Sequence, residues 1–178
     1  LKSLEIPKGA FVVLFVGSGF RRKGLGRAIQ GLPRNACLIV VGAGRTSRYE
    51  RMAKTLGADV RFPGPRKDIE AFYGAADALV LPTQYDPFPN VTLEAMACGV
   101  PVVVTKVAGV SEIIADGIDS FVVDDPGDPE AIKDRLSRLM PGSVRDRVGK
   151  AARALAERPP YEKYLEETLA RDARTAVV

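Results

Sequence analysis

The chain has 178 residues, the length of one ordinary domain, and its 26 Lys+Arg against 22 Asp+Glu leave a net charge of only +4. That small excess, with no long Lys/Arg block interleaved with aromatics, argues against nucleic acid as a partner. Histidine is absent, which excludes histidine triads, histidine metal sites and histidine acid/base work within the chain. Any catalysis falls to carboxylates, Lys, Arg and backbone amides. No apolar run approaches the roughly 20 residues that a membrane-spanning helix needs. The apolar opening stretch ends at Gly17 and a basic turn, so it reads as a core strand rather than a signal peptide. Cys37 and Cys98 lie in unrelated apolar contexts and are expected to be buried thiols of a reducing compartment.

In chain order, short apolar runs alternate with helical segments. AFVVLFV, from Ala10 to Val16, leads through a Gly-rich turn to KGLGRAIQGL. CLIVVG, from Cys37 to Gly42, leads to SRYERMAKTLG, and DVRF leads to RKDIEAFYGAA. ALVLP leads to NVTLEAMACG, PVVVT to GVSEIIADG, and SFVV to DPEAIKDRLSRLM. The runs are continuous and rich in Val, Ile and Leu, as strands buried on both faces should be. Strand alternating with helix predicts a parallel sheet with right-handed crossovers, here a doubly wound, Rossmann-like α/β fold. Such sheets bind ligands outside the carboxyl ends of their strands. From about residue 128 the chain reads as mostly helical, with SVRDRVGKAARALAER and YEKYLEETLARDAR split by Pro159 and Pro160. No repeat or internal linker divides it, so residues 1–178 are expected to form one domain.

Two turns carry the chemistry. After the first strand, Gly17, Ser18 and Gly19 allow a tight turn with exposed amides, and Arg21, Arg22 and Lys23 then fall where the next helix is expected to begin. Cations oppose the helix dipole there, unless a bound phosphate supplies the negative charge. The turn therefore reads either as a diphosphate site, with Lys23 and Arg22 as counter-charges, or as a solvated basic turn. Its spacing matches neither the Walker loop nor the complete G-x-G-x-x-G. GAGRTS, after the second strand, is equally incomplete.

The second turn is DPFPNVTLE. Pro87 and Pro89 bar a helix before Asn90, which is expected to cap the helix that follows. The amides of Val91, Thr92 and Leu93 would then point outward as an anion site, with Asp86 and Glu94 bordering it. The alternative is structural, with Asp86 capping a turn and Glu94 favouring the helix dipole. The adjacent Asp124 and Asp125 read as a capped turn.

Taken together, GSGFRRKG, VVGAG, the stretch from FPGPRKDIEAFYGAADALVLP through QYDPFPNVTLEAMACGVPVVVTKVAGVSEII, and DGIDSFVV resemble the C-terminal domain of retaining GT-B glycosyltransferases. The group includes sucrose and glycogen synthases, mannosyltransferases and lipopolysaccharide core glucosyltransferases. The resemblance spans roughly residues 10 to 140, and GSGFRRKG looks closest to the lipopolysaccharide core heptose glucosyltransferase branch.

The resemblance implies a role for each matching position. The paired acids of the family fall on Asp86, toward the donor sugar, and Glu94, toward the ribose of the nucleotide. The family has Glu at the first position, and this chain has the shorter Asp. Amides around Asn90, Val91 and Thr92 would hold the diphosphate. Lys23 matches the family's diphosphate lysine, and Arg22 stands in for an Arg that many relatives carry where this chain has Ser18. Arg66 matches the position whose backbone meets the base. Lys23 and Asp86 are thus the catalytic candidates, with Gly17, Ser18, Gly19, Arg22, Arg66, Asn90, Val91, Thr92 and Glu94 binding substrate.

The implied reaction is transfer of a sugar from a nucleotide-sugar donor, UDP-linked for preference, with retention at the anomeric carbon. Neither cofactor nor metal is expected, because Lys23 and helix amides would stabilise charge on the leaving diphosphate. The family's N-terminal acceptor domain is expected to be absent from this chain, leaving the domain alone inactive. Localisation is expected to be cytoplasmic, with peripheral association of the full-length enzyme at the inner membrane face and a role in lipopolysaccharide or other cell-envelope glycan synthesis. The rival readings are a GT-B sugar-nucleotide 2-epimerase, which generally uses a histidine, and a non-catalytic nucleotide-binding module. An NAD-dependent dehydrogenase fails on the incomplete glycine motif and on the lack of an acid ending the second strand.

Overall fold

A computed structural model describes Leu4, residues 6–159 and Tyr161. The expected helix after Pro159 and Pro160 lies outside the described residues except for Tyr161. Six parallel strands form one sheet: β1 (Phe11–Val16), β2 (Ala36–Val41), β3 (Asp59–Gly64), β4 (Ala78–Leu81), β5 (Val102–Thr105) and β6 (Phe121–Val123). Their spatial order is β3-β2-β1-β4-β5-β6. The order reverses between β1 and β4, and that gap is the switch point at which a doubly wound sheet opens a crevice.

Every residue of β1, β2, β4 and β5 is buried, which explains their unbroken apolar runs. β6 is buried except at Val122, and β3 is half-buried throughout. It is an edge strand, and it carries Pro63 beside a register shift between Ile39 and Val41 of β2. A proline with no N–H to donate is tolerated only at such an edge.

The helices are α1 (Leu25–Gln30), α2 (Ser47–Leu56), α3 (Ile69–Tyr73), α4 (Asn90–Ala97), α5 (Pro129–Leu139) and α6 (Gly142–Ala156). α1 packs with α2 and α5, and α4 packs with α6. Asp128 caps α5, accepting from the amides of Glu130 at 2.9 Å and Ala131 at 3.1 Å, with Pro129 in the first turn. Asp125 closes the preceding turn by accepting from Gly127 N at 2.7 Å, as its sequence suggested.

At the amino ends of the strands one half-buried clamp fixes α6. The Asp77 carboxylate accepts from Val12 N at 2.7 Å and meets Arg145 Nε at 3.1 Å. Arg145 also donates to the Met140 carbonyl at 3.0 Å and lies over the Phe11 ring. Among the described residues no helix is long and apolar enough to cross a membrane.

Two expectations are corrected here. GVSEIIADG forms only a 3-10 turn, Gly109–Glu112. Its start is tied to the β4 loop by Gly109 N donating to the Asp86 carbonyl at 3.0 Å, and its end is stopped where the Asp119 carboxylate takes the Ala115 amide at 3.1 Å. Cys37 is buried as expected, but Cys98 is exposed, because it ends α4 on the side away from the sheet.

Candidate functional site

The two turns flagged by the sequence both leave strands at the switch point, one after β1 and one after β4. The loop after β1 does not run straight into a helix. Residues Phe20 to Lys23 form a turn, and α1 starts only at Leu25, after Gly24 in a left-handed conformation at φ 79°. A Cβ on Gly24 would strike the Pro82 carbonyl, so only glycine lets the two loops pass this closely. The three cations therefore precede the helix by a turn instead of occupying its first residues.

Gly17 has a separate role. A Cβ there would lie 2.7 Å from Cδ and Cε of Lys23, so the bare glycine is the surface along which the lysine stem lies. Gly19 takes a positive φ of 74° and its carbonyl accepts from Lys23 N at 3.1 Å, closing the turn. Ser18 Oγ accepts from Ala43 N at 3.4 Å, linking this loop to the one after β2.

The β1 and β4 loops are sewn together. Gln84 N donates to the Arg22 carbonyl at 2.9 Å, Thr83 Oγ1 donates to the same carbonyl at 3.2 Å, and Arg22 Nη1 donates to the Tyr85 carbonyl at 2.6 Å. Buried Thr105 of β5 holds the Thr83 carbonyl at 2.7 Å from beneath. This backbone network brings Lys23 Nζ to 3.2 Å from Asp86 Oδ2, with Arg22 Nη1 at 3.6 Å from the same oxygen. Asp86 is 8% exposed, so its charge is matched inside the fold by two cations that the sequence places 63 and 64 residues away. The short aspartate still reaches both.

α4 opens beside this cluster. Pro89, not Asn90, stands at its cap, with no side-chain hydrogen bond, and Asn90 is the first helical residue. With Pro89 at the cap, Asn90 lies inside the first turn, so it does not take the capping position expected of it. Thr92 is also corrected: its amide and hydroxyl both donate to the Pro89 carbonyl, at 3.0 and 2.5 Å, and it is fully buried. Thr92 thus braces the turn, and an anion at this helix start would meet the amides of Asn90 and Val91 first.

Glu94 is half-buried on the second turn of α4, past the first turn in which the sequence places it. Tyr73 at the end of α3 donates its hydroxyl to Glu94 Oε2 at 2.7 Å. Burial, with the nearby Glu94 charge, pushes the Tyr73 phenol far above its usual range, so it stays a donor. No periodicity or motif in the sequence pointed to Tyr73, because the pair joins two different crossover helices. Arg66 stands apart in its own arrangement. Its guanidinium makes paired 2.8 Å bonds to both oxygens of Asp68 and lies 5.7 Å above the Phe72 ring. That bond holds the Asp68 carboxyl below the usual carboxylate range.

The structure thus draws Arg22, Lys23 and Asp86 into direct contact, sets the start of α4 and the Tyr73–Glu94 pair beside the same crevice, and leaves Arg66 fixed at the loop after β3. Among the described residues there is no group of three or more His, Cys, Asp or Glu side chains able to hold a metal ion.

A doubly wound parallel sheet with cations, a carboxylate pair and an open helix start at its switch point defines a Rossmann-like domain with a candidate site for an anionic ligand. The chain belongs to the glycosyl transferases group 1 family, whose profile matches residues 1–155. It is similar to the lipopolysaccharide glucosyltransferase WaaG of Escherichia coli, at 33% identity over 138 residues, covering 72% of this chain and 37% of that protein. The crystal structure of WaaG superposes with a TM-score of 0.82 at 30% identity, over 94% of this chain and 48% of that one. The C-terminal domain of a group 1 glycosyl transferase, LpcC of Francisella tularensis, matches at 25% identity with a TM-score of 0.75, over 87% of this chain and 88% of that one. The Anabaena protein HepE, solved in complex with UDP-glucose, shares the fold with a TM-score of 0.81 at 24% identity, over 96% of this chain and 51% of that one. The chain therefore spans less than half the length of WaaG and matches an isolated C-terminal domain almost end to end. These relatives are GT-B glycosyltransferases, and nothing among them supports the epimerase reading.

Proposed function

We propose that this chain is the donor-binding half of a retaining, metal-independent glycosyltransferase that uses a nucleotide-sugar, UDP-linked for preference. The observation that carries the proposal is the convergence of Lys23, Arg22 and Asp86 on the open start of α4 at the sheet's switch point. In this reading the diphosphate enters between Lys23 and the amides of Asn90 and Val91, and Lys23 then shares its charge between Asp86 and phosphate. Asp86, released from part of that pairing, faces the hydroxyls of the donor sugar. Glu94, aimed by Tyr73, takes the ribose hydroxyls, and the loop holding Arg66 meets the base.

When the anomeric carbon separates from the diphosphate, negative charge grows on the phosphate oxygens. Lys23 and helix amides already fixed around them stabilise that charge without reorganising, which is the role a metal ion plays elsewhere. The acceptor is held by a second domain of the whole protein, and the domain alone turns over little. The whole enzyme works in the cytoplasm, at the inner face of the membrane, in lipopolysaccharide or other cell-envelope glycan synthesis.

Calorimetric titration of UDP into the wild type, Lys23→Ala and Glu94→Ala tests the assignment. Loss of one charge-assisted contact weakens binding by about 1.5–3 kcal/mol, and EDTA leaves the wild-type affinity unchanged. Wild-type affinity in both variants would show that the site lies elsewhere, and an EDTA-sensitive affinity would overturn the metal-free mechanism.

A further inference from the structure

Beside the donor loop lies a groove that shares Gly19 and Arg22 with it and whose other residues the donor reading does not use. A depression of about 750 Å³ is lined by Arg21, Arg22, Arg45 and Arg48 around Phe20 and Tyr49. It continues into a smaller one of about 230 Å³ that shares Arg21, Arg48 and Tyr49 and adds Arg27. No carboxylate lines either part. The guanidinium groups of Arg21 and Arg45 have no hydrogen-bond or ion-pair partner among the described residues. Arg48 rests over the Tyr49 ring at 5.9 Å.

Like charges gathered on one concave surface repel, and Arg45 and Arg48 flank the start of α2, where the helix dipole also disfavours cations. An anion with several acceptor oxygens reverses both costs, and guanidinium forks match phosphate geometry. The floor is apolar: Phe20 and Tyr49 are 5% and 7% exposed and meet edge to face at 5.7 Å. Gly44 lies directly on Phe20, where a Cβ would come within 2.5 Å of the ring. An arginine rim around a rigid, buried aromatic floor suits a phosphomonoester, whose oxygens several guanidinium forks can share.

Arg22 joins the two sites, since it lines the groove while its guanidinium stands 3.6 Å from Asp86. We propose that this groove takes a phosphomonoester group of the acceptor, borne either on a soluble glycan or on a glycolipid, while the second domain holds the rest of the acceptor. The acceptor role rests on the donor reading above, because it places the phosphate next to the reacting sugar.

The test follows backbone amides by NMR with UDP held at saturation. Glucose 6-phosphate is the soluble probe, and vesicles of phosphatidylcholine with or without phosphatidic acid are the lipid probe. Glucose 6-phosphate is expected to shift the amides of Phe20, Arg21 and residues 44–49. The double variant Arg45→Gln/Arg48→Gln raises its Kd at least fivefold while leaving UDP affinity within twofold, and Arg48→Lys restores part of the loss. Binding confined to phosphatidic acid vesicles, and lost in the same variant, assigns the phosphate to a lipid.

Three results overturn the subsite: unchanged phosphate binding in the double variant, equal binding of sodium sulfate at the same amides, or competitive displacement of glucose 6-phosphate by UDP. Failure of the donor reading is separately visible as loss of UDP binding in the wild type, and it would leave an anion groove with no claim to the acceptor.

Discussion

Replacing Tyr73 with Phe removes a single oxygen and keeps the ring that α3 buries against the core. The hydroxyl donates to Glu94 Oε2 at 2.7 Å, and Tyr73 itself is 2% exposed. A hydrogen bond to a charged acceptor contributes about 1.5–3 kcal/mol net. Glu94 is only half-buried, so water replaces part of that, and a loss of about 1–2 kcal/mol is the expected range. In a domain of this size each kcal/mol shifts Tm by about 2–4 °C, so Tyr73→Phe should melt about 2–8 °C lower.

The same substitution removes the contact by which Tyr73 aims the Glu94 carboxylate at the proposed ribose position. UDP affinity should fall by roughly threefold to tenfold, since 1.4 kcal/mol is a factor of ten. The informative readout is the ratio of affinities for UDP and 2′,3′-dideoxy-UDP. The wild type should prefer UDP, and Tyr73→Phe should lose most of that preference while binding the dideoxy form almost as the parent does. If Tyr73→Phe keeps the full ribose preference and melts with the wild type, Glu94 is not positioned by Tyr73.

Further predictions rest on single contacts. Gly24→Ala combines a strained φ of 79° with a Cβ driven into the Pro82 carbonyl, and should destabilise by about 2 kcal/mol or more in denaturant titrations, with UDP binding lost in parallel. Asp77→Ala removes the acceptor for Val12 N and the ion-pair partner of Arg145, and with both side chains about a quarter exposed is expected to cost about 1–2 kcal/mol without altering UDP affinity in the protein that remains folded. Burial pushes the Cys37 thiol up to about 11 from 9.0, and the Asp59 carboxylate adjacent in the sheet register adds to the rise. Because the folded pKa is the higher, this contribution is complete below pH 9 and is lost as pH climbs from about 9 to 11, amounting to about 2–3 kcal/mol; Cys37→Ala should flatten that alkaline decline. Native protein should react with a thiol reagent once, at exposed Cys98, slowly because partial burial and then Glu94 raise its pKa.

The rhythm of apolar runs was enough to give the doubly wound sheet, because strands buried on both faces must be continuously apolar and a parallel pair must be joined by a crossover. The same logic put both candidate turns at strand ends. Local sequence misjudged what depends on distant neighbours. Asn90 looked like a cap, Thr92 like a free donor and Cys98 like a core residue, yet Pro89 and the outward end of α4 decide all three. GVSEII has helical composition, but its start is bound to Asp86, 23 residues earlier.

Only the tertiary structure could bring Lys23 to Asp86 and Tyr73 to Glu94. These are contacts between different βα units, and no periodicity along the chain encodes them. The arginine groove is of the same kind. Its side chains come from the loop after β1 and the start of α2, and they become one surface only because β1 and β2 lie side by side.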